Sequence, residues 1–160
     1  RLKVKLQFLC GNHRLELERS LPKAMQFWKV GIDTGQFYRD HLLWLEAIPH
    51  LGCAFETAEI LLRNSTIDHE NACKRFCDTA LLLASTFTNL IRIADAEEVI
   101  WMAINRLEGE LSQKGAKAEW ICHHLSNQYV ELKHAFTTHH QVTRSDRRLS
   151  GGLESLVLLH

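Results

Sequence analysis

Between Asp68 and Ala94 the chain reads DHENACKRFCDTALLLASTFTNLIRIA, and Cys73, Phe76, Cys77, Ala80, Leu81, Ala84, Phe87, Leu90 and Ile91 recur along it at helical spacing. Leu82, Leu83 and Ile93 carry the apolar surface round to the other faces. A helix that is apolar over most of its circumference needs neighbours on several sides. The stretch therefore predicts the central helix of a bundle. It does not predict a membrane span: the uncharged part, Thr79 to Ile91, is about 13 residues where about 20 are needed, and Lys74, Arg75, Asp78 and Arg92 bracket it.

The rest of the composition agrees with a helical domain. The 160 residues contain two prolines and eight glycines, little punctuation for a chain of many short strands. Nineteen basic residues balance nineteen acidic ones. A net charge of zero argues against a domain that binds nucleic acid with its whole surface, since such binding rests on many phosphate-neutralising cations. The five cysteines, Cys10, Cys53, Cys73, Cys77 and Cys122, are odd in number and lack paired Cys-x-x-Cys spacing. That pattern suits reduced thiols in a cytoplasmic protein better than a secreted disulfide scaffold.

The first 21 residues have a different period. Leu2, Val4, Leu6 and Phe8 alternate with Lys3, Lys5 and Gln7, and beyond Gly11-Asn12 Leu15 and Leu17 alternate with Arg14, Glu16 and Glu18. With Gly11-Asn12 as a two-residue turn, Phe8 falls opposite Leu15, Leu6 opposite Leu17 and Lys5 opposite Glu18. This predicts a β-hairpin over residues 1–21, laid against the helices and offering its edges for strand addition.

Six helices are expected in all. The first opens at Ser20-Leu21-Pro22, with proline in the first turn where it is tolerated. Gly31 and Gly35 read as punctuation, with a second helix capped at Asp33 or Thr34 and ended by Pro49-His50-Leu51-Gly52. A third helix runs from Cys53 to Arg63, and the central one follows. Asp95 to Glu98 has capping-box spacing and starts a fifth helix, with Ile100, Ala103, Ile104, Leu107 and Leu111 as its stripe. A sixth, Ala116 to about His140, points Ile121, Leu125, Leu132 and Phe136 inward. The domain is expected to span residues 1–142. Residues 143–160 then read as a basic linker followed by a short amphipathic segment, Leu153 to Leu159.

Three groups of residues carry candidate chemistry. Arg63-Asn64-Ser65-Thr66-Ile67-Asp68-His69 resembles the Arg-(x4–6)-His signature of HEPN-type ribonucleases, which are also small helical bundles. The resemblance implies metal-independent RNA cleavage, with His69 in proton transfer and Arg63 on the charge developing at phosphate. His69, Cys73 and Cys77 lie on one helical stripe, and Cys122, His123 or His124 could add to it. The three nevertheless span about 12 Å of helix, too far for one ion with bonds of about 2.0–2.3 Å, so the cysteines read as small core residues and no metal or cofactor is expected. Arg144, Arg147 and Arg148 form a basic cluster able to contact phosphates or to flank a phosphorylated Ser150. No glycine-rich phosphate loop, HExxH or G-x-S-x-G motif is present.

The expected fold is thus mainly α, a bundle of about six helices with an N-terminal β-hairpin. The expected function is that of a non-catalytic interaction module in a larger assembly. It would bind a protein partner through the hairpin edge, the tail or an aromatic face bearing Trp28, Trp44, Trp101 or Trp120. Membrane binding is not expected, and self-association is open. The alternatives are a HEPN-like ribonuclease using Arg63 and His69, and a subunit that touches nucleic acid through Arg144, Arg147 and Arg148.

Overall fold

The computed structural model describes residues 6–65, 68–114, 121, 123–134 and 137. They form a helical bundle: α1 (Gly11–Arg19), α2 (Leu21–Asp40), α3 (Trp44–Arg63), α4 (His69–Asn89), α5 (Ile93–Lys114) and α6, described over residues 123–134. Packing follows chain order, with α3 between α2 and α4, and α4 between α3 and α5. Phe55, Phe76 and Phe87 lie at the centre, joined by Leu51, Leu83, Ile100, Ile104 and Leu107. No helix among the described residues is long and apolar enough to cross a membrane.

The N-terminal β-hairpin is not formed, and no strand occurs among the described residues. Leu6 to Cys10 are non-helical chain, and Gly11-Asn12 opens α1 instead of turning a hairpin. The Arg14 N–H donates to the Cys10 carbonyl at 3.0 Å to start that helix. In a strand Leu15 and Leu17 would share a face, whereas on a helix they point about 200° apart. Leu17 is fully buried and Leu15 is 49% exposed, the helical outcome. Leucine, glutamate and arginine are all good helix formers, so four alternating residues were too short a sample to separate the two periods. Nor do residues 8 and 9 need a partner strand, because the backbone N–H groups of Phe8 and Leu9 both donate to Oε2 of Glu56 on α3. Glu56 is 4% exposed, and its other oxygen is 3.2 Å from Arg14 Nη2.

The glycines expected to break helices instead bring them together. α2 runs unbroken through Gly31 and Gly35. A Cβ at Gly31 would stand 3.0 Å from the His50 carbonyl oxygen and 3.1 Å from Ala54 Cβ, and one at Gly35 would stand 2.4 Å from Leu51 Cδ2. These are the points where α3 approaches α2 too closely for a side chain. α3 likewise continues through Pro49 and Gly52, where the Phe8 ring occupies the space of a Cβ. Pro49 removes one N–H from the helical ladder, a cost outweighed by the burial of Leu51, Phe55, Ala58 and Leu62 further along the same helix. Three expected helices between residues 21 and 63 are therefore two.

Both of the short turns α2–α3 and α4–α5 are Schellman motifs. In the first, Leu43 N–H donates to the Tyr38 carbonyl and Leu42 N–H to that of Arg39, each at 2.9 Å. In the second, Arg92 N–H donates to Phe87 and Ile91 N–H to Thr88, again at 2.9 Å. The left-handed position, normally glycine, is Leu42 (φ 60°) in one and Ile91 (φ 58°) in the other. The second turn also moves the start of α5 to Ile93, two residues before the expected cap, and Asp95 accepts from Arg92 Nε at 2.7 Å.

Candidate functional site

The two residues of the ribonuclease-like pattern are held by different carboxylates. Arg63, in the last turn of α3, pairs with Glu59 at 2.9 Å and is 51% exposed. His69, in the first turn of α4, has its Nε2 2.9 Å from Oε2 of Glu110 on α5 and is 13% exposed. Glu110 is itself buried, and its other oxygen accepts from Arg106 Nη2 at 2.7 Å. The Cys73 sulfur is 3.8 Å from His69 Nε2 and 4.0 Å from its Nδ1, within the reach of a weak sulfur hydrogen bond. This cluster places a carboxylate, an imidazole and a guanidinium at the α4–α5 interface. A buried carboxylate is tolerated there because both of its oxygens are partnered. Thr66 and Ile67 lie outside the described residues.

The cysteines of the same stripe face inward. Cys73 and Cys77 are buried, and burial pushes the Cys77 thiol well above the ordinary thiol range, with Cys73 and Asp78 adding to the effect. No group of three His, Cys, Asp or Glu side chains placed to hold a metal ion occurs among the described residues. On α6, His123 contacts Asn127 at 3.4 Å, while His124 is half-buried and held below the usual imidazole range, chiefly by burial and then by His123. Arg144, Arg147 and Arg148 lie outside the described residues, as do Cys122, Trp120 and the segment Leu153 to Leu159.

Of the remaining tryptophans, Trp28 is half-buried and donates to Thr79 Oγ1 at 3.0 Å. Trp44 is half-buried beneath the Arg39 guanidinium, 5.3 Å from the ring centre. Trp101 is 46% exposed on α5. Arg39 also fixes the geometry of one end of the bundle. From the last turn of α2 it donates to Thr86 Oγ1 and, at 3.1 Å, to Ser85 Oγ near the end of α4. The α2–α3 and α4–α5 turns therefore lie at the same end.

Among the described residues, that end exposes several large apolar side chains. Leu42 and Ile91, the two left-handed residues, are 70% and 71% exposed, with Leu45 at 61% and Phe37 at 57%. The Phe37 ring lies against the rings of Tyr38 and His41, at centroid distances of 5.6 and 4.4 Å. Read as one helix running to Ile48, the sequence would place Phe37, His41, Leu42, Leu45 and Ile48 near one face. The turn at 41–43 breaks that helix and sends Phe37, Leu42 and Leu45 outward. The signal that could have revealed it is Leu42-Leu43-Trp44-Leu45, four large apolar residues in a row, which no single helical face can bury. No protein-family model, curated protein or solved structure matches this chain.

Proposed function

We propose that this chain is a non-catalytic helical interaction module, a component of a larger assembly, and that a protein partner docks on the apolar end of the bundle. One observation carries the reading: at both turns of that end, a large apolar side chain occupies a left-handed backbone position and points into solvent. A side chain there costs about 1–2 kcal/mol relative to glycine, and a Leu or Ile that is 70% or 71% exposed recovers little of it from burial within the chain. Strained residues persist where function uses them, and burial against a partner supplies the missing compensation. Two such positions at one end of the bundle, with Phe37 and Leu45 also exposed there, offer the kind of apolar surface that marks contact sites. Cys73 and Cys77, buried as thiols in the core, suit work in a reducing compartment such as the cytoplasm.

The test is native mass determination of the protein isolated from its source, as wild type and as the Leu42→Gly/Ile91→Gly double variant. The wild type is expected to carry a stoichiometric protein companion. The variant should lose it while keeping its helix content. A bare wild-type monomer, or a companion retained by the variant, overturns the reading.

A further inference from the structure

α2 and α4 flank α3 and leave a groove between them, at whose midpoint two side chains stack. The Arg75 guanidinium lies 5.2 Å from the centre of the Trp28 ring, and the indole N–H is tied to Thr79. On one side of this pair is a hollow of about 370 Å³ bounded by Leu21, Met25, Leu61 and Ala72. On the other is a hollow of about 420 Å³ bounded by Trp28, Ile32, Thr79 and Leu82, with Asn71, Lys74 and Asp78 along its polar side. Arg75 borders both. The α2 wall, Leu21, Met25, Trp28 and Ile32, has apolar residues at intervals of four, three and four, the spacing with which one helix receives another. Leu21 and Met25 are 39% and 38% exposed along it.

The charges round the groove single out Arg75. Lys74 pairs with Asp78 at 3.6 Å, and the Asp68 carboxylate accepts from Asn71 Nδ2 at 2.9 and 2.8 Å. The Arg75 guanidinium makes no hydrogen bond or ion pair among the described residues. Asp68 favours its charge at longer range, while burial, the larger effect, works against it. A guanidinium half-desolvated on an aromatic face, with its in-plane donors unused, presents a fork that fits a carboxylate.

We infer that this groove receives an amphipathic helix of a protein partner, with one large apolar side chain in each hollow and a carboxylate between them on Arg75. The geometry sets the partner's pattern. Met25 and Ile32, one beside each hollow, are seven residues apart, about 10.5 Å along a helix. The partner's anchors therefore stand at i and i+7, with Asp or Glu at i+3 or i+4. The inference rests on reading the chain as an interaction module, but it uses a different surface from the apolar end.

The experiment is selection of a displayed helical-peptide library on the intact protein, followed by affinity measurements against variants. Selected peptides are expected to share two large apolar residues seven apart with an acid between them. Arg75→Gln should weaken them about tenfold or more, since truncating one partner of a desolvated charge pair is costly. Met25→Glu, on the exposed wall, should weaken them independently, and Leu42→Gly/Ile91→Gly should leave them unchanged. Circular dichroism and melting check that each variant is folded. Absence of enrichment, peptides lacking the acid, or wild-type affinity in folded Arg75→Gln or folded Met25→Glu overturns the inference. So does a loss of affinity confined to the Leu42→Gly/Ile91→Gly variant. A companion kept by that double variant would overturn the apolar-end reading and leave the groove standing.

Discussion

Glu56 shows how one side chain can decide the state of a segment far from it in sequence. Its carboxylate is buried, accepts the N–H groups of Phe8 and Leu9, and pairs with Arg14. It thereby does for residues 8 and 9 what a neighbouring strand would otherwise do. Replacing it by alanine leaves two backbone donors unsatisfied beneath the chain and is expected to cost about 2–4 kcal/mol in urea denaturation. Glu56→Gln keeps one acceptor and should cost less. If Glu56→Ala unfolds at the wild-type urea midpoint, the segment is not anchored in this way. Nothing local marks Glu56 for burial, since it sits in CAFETAEILL among residues that are equally at home on a helix surface or in a core. His69 and Glu110 make the same point. Sequence reading selected the histidine, but its partner lies 41 residues away on another helix.

At the scale of the element, the two Schellman turns and α6 make opposite predictions about stability. Leu42→Gly and Ile91→Gly each relieve a left-handed side chain that is about 70% exposed and bury nothing less. Each is expected to stabilise by about 1 kcal/mol, the relief exceeding the entropy that glycine adds to the unfolded chain. In a domain of this size that raises the melting temperature by about 2–4 °C per site. A fall in melting temperature would show that the side chains contribute more than the strain costs. α6 is held by Ile121, Leu125 and Gln128, whose Nε2 donates to the Cys77 carbonyl at 3.4 Å, with half-buried His124 alongside. Because burial lowers the folded-state pKa of His124 below the unfolded value of 6.5, the unfolded chain binds the proton more readily. Its contribution to stability is present above that value and is lost as pH falls through it towards the folded pKa. His124→Gln should therefore flatten the drop in melting temperature between pH 7.5 and pH 5.5, and an unchanged drop would assign it to other histidines.

For the molecule as a whole, burial predicts an order of opening. α3 is enclosed by α2, α4, α1 and the Leu6–Leu9 segment, and Leu51, Ala54, Phe55, Ala58, Ile60 and Leu62 are all buried. Amide hydrogen exchange is expected to be slowest in α3 and in the facing part of α4, at the free energy of global unfolding. The Leu6–Leu9 segment and α1, which bury little beyond Leu9 and Leu17, should open at lower free energy. Equal protection of α1 and α3 would mean that the anchor at Glu56 belongs to the global core.

The helical class, the absence of a spanning helix among the described residues and the inner faces of α4 and α5 were legible in the amino-acid sequence. A 3.6-residue period held over five or six turns is a local property that tertiary contacts have no reason to override. Phe76, Ala80, Ala84 and Phe87 are buried on α4, and Ile100, Ala103, Ile104 and Leu107 on α5, as the periodicity predicts, whereas Leu83, placed off that stripe, is buried as well and Ile91, placed on it, is exposed. The candidate surfaces were less legible. Trp28 was singled out as an anchor, but its pairing with Arg75, 47 positions away, was not. Tertiary structure alone decided whether residues 11–19 are strand or helix, because Leu15, Glu16, Leu17 and Glu18 alternate as a strand would yet are all good helix formers. It also decided whether Gly31, Gly35 and Gly52 interrupt a helix or let another element reach its backbone. Only the packed chain set Leu42 and Ile91 outside the core their composition suggests. In each case the deciding partner comes from a distant part of the chain, and no local pattern records which distant residue will arrive.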